Sequence, residues 1–318
     1  MTPDVSILMP VYNGMPYLRQ AIESVLAQTL TNWQCVIVND GSRDGTRDYL
    51  SSLGDDRFKI IDQENAGISA AINNGLKHCT ARYIARLDAD DIALPARLAE
   101  QVAFLDVHAE VALVGTQVVP MGSRGAGSSL KLPTTHDDIM SDLIAGRHAV
   151  AHSSAMIRAD ILREIGGYWS LSFGEEYDLM LRLGEIAKLA NLDQVLLQYR
   201  VHQSSMNGSA MRRMRTSVLY ACESARRRQA GMFPISFEDF QARRNSRPRW
   251  QRVFESIDIH ARNQYRYALA EFYGGRRVRG AARLVWAAAC APRLTFERIL
   301  RVAKPARREV KAVQGATA

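Results

Sequence analysis

Apolar and polar positions alternate in two rhythms along the first 120 residues. Residues 5–9 form a short apolar run that ends at Pro10, the pattern of a strand buried on both faces. Leu18, Ile22, Val25 and Leu26 then recur at helical spacing. Residues 35–38 make a second apolar run, closed by the turn cluster Asn39-Asp40-Gly41-Ser42. The same alternation predicts a helix over 46–53, a strand over 58–61, a helix over 68–76 and a strand over 83–87 ending at Asp88. Pro95 opens a helix that reaches about His108, and residues 112–119 read as another strand. Strands alternating with helices predict an α/β layer structure with a mainly parallel sheet.

Further on, residues 122–129 (GSRGAGSS) read as a loop, 137–145 as a helix, 153–158 as strand-like, 178–186 as an amphipathic helix and 195–200 as a strand. From about Met211 the pattern is helical and rich in arginine, without a sheet signal. This divides the chain into a sheet domain over 1–206 and a basic, mainly helical region over 207–318.

Charge sharpens that division. Residues 1–200 carry 17 Lys and Arg against 25 Asp and Glu, whereas 201–318 carry 24 against 8, within a net charge of +8. The second half is therefore expected to meet anionic partners: phosphorylated ligands, an acidic membrane surface or nucleic acid. Nucleic acid is disfavoured by the acidic sheet domain and by the lack of a nucleic-acid motif. With 47% apolar and 23% charged residues the chain is globular, and at 318 residues it can bury roughly 75% of its unfolded surface. Cys35, Cys79, Cys222 and Cys290 stand apart with no Cys-x-x-Cys pair, so a structural zinc site is not expected; Cys35 and Cys79 read as buried thiols. The first residues lack a basic segment and long apolar run, so no secretory leader is expected. The longest apolar run, residues 284–291, has 8 residues, short of the about 20 that span a bilayer. A cytoplasmic protein, peripheral on the inner face of the cytoplasmic membrane, is expected.

Candidate chemistry collects at strand ends. Asp88, Asp90 and Asp91 crowd just past an apolar strand, where open α/β sheets bind ligands. Like charges so close raise one another's pKa unless a cation neutralises them. A divalent ion bridged to phosphate oxygens supplies that cation, although the same residues also suit a helix cap. Asp40 ends another strand and reads either as a ligand contact or as a turn residue. Glu175, Glu176 and Asp178 open an amphipathic helix. First-turn acids favour a helix N-terminus by about 0.3–1 kcal/mol, yet such a carboxylate also suits a general base. His152 and His202 are candidate ligands or proton carriers. Arg200 suits a phosphate or an ion pair with an acid of 175–178.

Taken in order, these segments resemble a known family. They are Pro10-Val11-Tyr12-Asn13-Gly14, Asn39-Asp40-Gly41-Ser42-Arg43-Asp44-Gly45-Thr46, Asn65-Ala66-Gly67, the AINNG of 71–75, Asp88-Ala89-Asp90-Asp91 and Gly174-Glu175-Glu176-Tyr177-Asp178-Leu179. His152-Ser153-Ser154-Ala155-Met156, Gly166-Gly167-Tyr168 and Tyr199-Arg200-Val201-His202 fit as well, so the resemblance covers about residues 3–206. The sequence resembles the family 2 glycosyltransferases, which have the GT-A fold. The resemblance implies a mainly parallel Rossmann-like sheet flanked by helices. It also implies transfer, with inversion, of a sugar from a nucleotide-diphosphate sugar, most often UDP-linked, to a saccharide or lipid-linked saccharide hydroxyl in cell-surface glycan synthesis. By position, Pro10, Val11 and Tyr12 would line the nucleoside pocket and Asp40 would bond the uracil. Asn65 and Gly67 would shape the donor site, and Asp88 would contact ribose or sugar. Asp90, with His202, would hold Mn²⁺ or Mg²⁺, and Asp91 would reach the metal or the sugar.

Two departures stand out. The family's base is usually the Asp of a Glu-Asp pair, whereas Glu176 holds that place here, with Glu175 and then Asp178 as further candidates. Processive members carry Gln-x-x-Arg-Trp, of which Arg249-Trp250 offers only the last two residues, so one sugar per encounter is expected. Two rival readings remain at this stage. One is a nucleotide-sugar-binding protein with little transferase activity. The other is a sugar nucleotidyltransferase, which Tyr12-Asn13-Gly14-Met15-Pro16 disfavours because no Gly-rich basic phosphate loop follows the first strand.

Overall fold

The computed structural model describes residues 2–122, 125–127, 129, 131–169, 174–201 and 208–292. The chain runs β1 (Val5–Val11), α1 (Leu18–Leu26), β2 (Trp33–Asp40), α2 (Thr46–Ser51), β3 (Phe58–Gln63), α3 (Ile68–Leu76), β4 (Tyr83–Arg86), β5 (Ile92–Ala93) and α4 (Arg97–Val107). It continues through β6 (Val111–Gly122), β7 (Gly125–Ala126), α5 (His136–Ile144), a 3₁₀ turn (His152–Ser154), β8 (Met156–Arg158), α6 (Ala159–Glu164), α7 (Glu175–Ile186) and β9 (Lys188–Arg200). Then come α8 (Gly208–Gln229), α9 (Phe237–Asn245), α10 (Arg249–Tyr273) and α11 (Arg277–Cys290).

One sheet holds every described strand, in the order β3-β2-β1-β4-β8-β6-β9-β5, with β7 on β6. The pairs among β3, β2, β1 and β4 are parallel, as is β6–β9, while β8 lies antiparallel between β4 and β6. The α/β fold expected from the pattern is present. The apolar runs are nearly continuous because both sheet faces are covered. Val5, Ile7 and Met9 of β1 join one core with α1 and α4; Leu8 joins the other with Ile72 of α3. The period of 2 along a strand divides these side chains between the two layers.

Several boundaries differ from the sequence reading. β1 runs through Pro10 to Val11, because the β4 ladder stops at Leu8↔Arg86 and the missing N–H of Pro10 falls past its end. The strand-like 153–158 begins as a 3₁₀ turn, in which the Ser154 hydroxyl donates to Ala151 O. β9 starts at Lys188, well before the predicted 195, and β5 is too short to leave a pattern. Cys35 and Cys79 are buried free thiols, as expected; burial pushes Cys79 up to about 12.

The charge boundary near residue 207 is not a break in packing. Val218, Ala221, Cys222 and Ala225 of α8 are buried in the same core as Leu143 of α5 and Leu179 of α7. α10 and α11 pack on each other, and α10 reaches α8 through Arg212 and Ser256 (3.4 Å). Among the described residues, no helix is long and apolar enough to cross a membrane.

Candidate active site

The carboxyl ends of β1, β2 and β4 lie side by side, so Val11, Asp40 and the loop after Arg86 share one edge of the sheet. Beneath that loop sits a charge the sequence reading overlooked. Arg86 is fully buried in β4, and its guanidinium donates to Asp88 Oδ1 (2.6 Å) and to the carbonyls of Leu87 (2.5 Å) and Leu8 (3.4 Å). Arg97 of α4, equally buried, donates to Arg86 O (2.7 Å), and burial pulls it down to about 9. An arginine inside an apolar strand is rare enough to have been a signal. A buried guanidinium needs a partner, and Asp88 supplies it.

Asp88, Asp90 and Asp91 have different surroundings. The Asp88 N–H donates to the Ser153 hydroxyl (2.9 Å), which ties the loop to the 3₁₀ turn. Asp91 is 1% exposed, and its Oδ1 accepts the Arg200 N–H (2.8 Å). Its Oδ2 has no partner among the described residues. Burial, then the charges of Asp88 and Asp90, hold this carboxyl well above the usual range. Arg200 makes no ion pair with the described acids of 175–178: Nε donates to Asp90 O (2.7 Å), Nη2 donates to Gln20 (2.5 Å), and the guanidinium lies 4.4 Å above the Tyr17 ring. Asp91 and Arg200 thus pin the end of β9 to the acidic loop.

The α7 acids divide between two sides of the helix. At about 100° per residue, Asp178 lies about 200° around from Glu176. Asp178 is fully buried, pairs with Arg182 Nε (2.6 Å) and turns away from the acidic loop. Arg182 also donates to Ile165 O (2.8 Å) and Gly167 O (2.7 Å), so this pair braces the Gly166-Gly167 turn. Glu175 and Glu176 instead feel Arg86 and Asp88. Burial, then the neighbouring Glu175 charge, pushes Glu176 up to about 8. A carboxyl poised there suits proton transfer near neutral pH. His152 joins this group: its Nε2 lies 2.8 Å from the Tyr168 hydroxyl, and burial, helped by Arg86, pulls it down to about 3. Tyr168 is set in place by Asn73 of α3, which donates to Tyr168 O (2.7 Å) and accepts its N–H (3.1 Å).

On the donor side, much of the motif holds itself together. Asn13 N–H donates to the Ser42 hydroxyl (2.9 Å), Arg43 N–H to Asn13 Oδ1 (2.8 Å), Gly14 N–H to the Thr46 hydroxyl (2.9 Å) and Met15 N–H to Asp44 (3.1 Å). This zipper fixes the β1 and β2 loops against each other. It leaves Tyr12 51% exposed above buried Val11 and Pro10. Asp40 is buried and accepts from Gln63 (2.7 Å), Ala66 N–H (2.8 Å) and Gly67 N–H (2.9 Å). Asn65 donates to Asp40 O (2.9 Å). Asp40 and Asn65 therefore shape the loop that carries Gly67 into α3. Gly41 has φ +73, and a Cβ there would stand 2.8 Å from Asn65 N, so a larger residue would displace this loop. His202 lies outside the described residues.

Among the described residues, no three metal-ligating side chains converge. The crowded carboxylates and the unpartnered Asp91 oxygen still suit a divalent cation, because such ions commonly take one or two carboxylates and complete their shell with substrate phosphates.

Known proteins share this sequence pattern and this fold. The family model described as "Glycosyl transferase family 2" matches residues 6–166. The putative glycosyltransferase EpsE of Bacillus subtilis is 34% identical over 212 residues, covering 64% of this chain and 74% of that one. The fold is similar to that of S. aureus TarS 1–349 in complex with UDP-GlcNAc, with a TM-score of 0.56, 16% identity and coverage of 90% and 91%. It is also similar to the mannosyltransferase PcManGT from Pyrobaculum calidifontis in complex with GDP-Man and Mn²⁺, with a TM-score of 0.54, 19% identity and coverage of 96% and 82%. A match that runs from β1 past the acidic loop to the Gly166-Gly167 turn takes in most of the edge described above, and the chain belongs to glycosyl transferase family 2: it is a transferase of sugars.

Proposed function

We propose that this transferase inverts the anomeric centre as it moves one sugar from a nucleoside-diphosphate donor, UDP-linked, to a hydroxyl of a saccharide or lipid-linked saccharide. The observation that carries the proposal is Glu176, a raised carboxyl at the start of α7 that feels Asp88 and Arg86 across the site. Glu176 accepts the acceptor's hydroxyl proton as that oxygen attacks the anomeric carbon. The bond from that carbon to the diphosphate breaks, and the nucleoside diphosphate leaves with the electron pair. Attack from the opposite side inverts the centre in one step.

Each remaining residue has a part in this reading. Tyr12 offers an exposed ring to the base, and Asp40 and Asn65 hold the loop beneath the donor. Asp90 and His202, with Asp91 in reach, would hold Mn²⁺ or Mg²⁺, which when bound stabilises the charge that grows on the diphosphate. PcManGT, a similar fold, is in complex with GDP-Man and Mn²⁺. The same reading seats the protein on an anionic bilayer. Trp250, Val253 and Phe254 of α10 and Val285 and Trp286 of α11 are exposed, and Arg249 and Arg252 flank the first three. Aromatic residues among arginines suit the headgroup region of anionic lipid.

Donor hydrolysis tests the proposal. The protein is incubated with UDP-, GDP- and dTDP-sugars and Mn²⁺, and released nucleotide is measured. Release from a UDP-sugar that Asp90→Ala abolishes is the expected result. Release from no donor, or release untouched by Asp90→Ala, would overturn it. With an acceptor in hand, NMR of the product reads the anomeric configuration.

A further inference from the structure

The helical C-terminal region packs near the acidic edge at the end of α10. Tyr273, at the end of α10, lies against the β6–β7 hairpin. A Cβ at Gly122 would stand 2.6 Å from Tyr273 Cβ, and one at Gly127 would stand 2.5 Å from its hydroxyl. At this end of the sheet, Pro120 and Met121 of β6 pair with Tyr199 and Arg200 of β9. α10 therefore crosses the sheet where Arg200 grips the acidic loop. Two turns back from Tyr273, about 10 Å along the same helix face, stands Arg266. The charges of Arg266, Asp91, Asp88 and Asp90 all reach the Tyr199 phenol, so the guanidinium and the three carboxylates lie within electrostatic range of one side chain. Arg266 is half-buried, and among the described residues it has no ion-pair partner. Arg262, one turn further back, is already paired with Asp258 (2.7 Å).

A half-buried guanidinium without a carboxylate, on a helix that packs at the end of the sheet where the acidic loop stands, suits a phosphate. We propose that Arg266 binds a phosphate oxygen of the nucleotide-sugar donor, so that the C-terminal helices complete the donor site. The proposal rests on the transferase reading above. A planar fork of N–H donors suits a diphosphate and counters the charge that the leaving group gains. It also gives the basic half of the chain a role in catalysis that is separate from any membrane contact.

Calorimetry on the full chain with Mg²⁺ and without acceptor provides the test, using UDP and GDP, with uridine and guanosine as phosphate-free controls followed by ligand-observed NMR. Arg266→Ala is expected to weaken the diphosphate about 10- to 100-fold and to leave the nucleoside unchanged. Arg266→Lys should recover part of the loss. Gly122→Ala, which pushes Tyr273 and α10 outward, should reproduce the diphosphate-selective loss with a native circular dichroism spectrum. Unchanged diphosphate affinity in Arg266→Ala would overturn the proposal and leave the transferase reading standing; this includes the case where Arg266 meets a phosphate on the acceptor instead. Equal loss of nucleoside and diphosphate would overturn it in favour of a structural role. A wild-type protein that binds neither diphosphate would overturn both readings together.

Discussion

At the residue scale, Glu176 is the group whose behaviour is most exposed to measurement. Its carboxyl is raised from the ordinary range to about 8, so a base at this position works only once it has lost its proton. Transfer is expected to rise with pH through about 8, and Glu176→Gln is expected to lower it about 100- to 10,000-fold while donor affinity stays within a factor of two or so. Stability moves the opposite way with pH. The folded state holds a proton here that the unfolded chain releases near the ordinary carboxylate range, so the wild type loses stability as pH rises from there towards about 8. Thermal melts should therefore show Glu176→Gln more stable than wild type at alkaline pH, with the gap closing under acid conditions; a constant gap would argue against a raised Glu176. The acidic residues themselves were legible, because carboxylates after an apolar run are conspicuous. Their division of labour was not. That Asp91 serves a backbone N–H and that Asp178 serves Arg182 depends on partners far along the chain or on the helix angle.

At the element scale, the start of α7 is set by a buried ion pair instead of by capping. Gly174 at its N-cap offers no side chain, and Asp178–Arg182 holds the helix to the Gly166-Gly167 turn. Removing one member of such a pair leaves a buried charge, at a cost of about 3–5 kcal/mol. Asp178→Ala is expected near the low end, about 3 kcal/mol, because Arg182 keeps its two carbonyl partners. Chemical denaturation would read this directly, and an unchanged midpoint would refute it. The donor loops show why element bounds were readable and their roles were not. Helix α3 was predicted to the residue, since its periodicity is local. The Asn13–Ser42 zipper and the Asp40 clamp join loops that the sequence shows only as two polar turn clusters. Asn13 and Asp44, which the sequence shows only as members of those clusters, are the fasteners that hold the loops.

At the scale of the whole molecule, the balance of charge changes near residue 207, while α8 packs into the same core as α5 and α7. The periodicity beyond Met211 marked helices but not what they pack against, because an arginine-rich face is compatible with water, lipid or protein. The exposed face of α10 and α11 gives a prediction at this scale. Trp250 and Phe254 are 61% and 65% exposed and meet edge to face, 6.1 Å apart. The double variant Trp250→Ser, Phe254→Ser should lose most of its binding to vesicles containing phosphatidylserine while melting like wild type; full retention on such vesicles would dismiss the bilayer as the partner of this face. Tyr273 has a consequence of a different kind. Its ring fills the space that a side chain at Gly127 would need, while its Cβ and backbone carbonyl occupy the space beside Gly122. In any related chain built on this plan, a bulkier residue at the position of Gly127 demands a smaller one at the tyrosine, whereas the position of Gly122 stays small whichever side chain stands there. The two segments, remote in sequence, can diverge only in step, and paired substitutions among relatives would betray the contact without any structure.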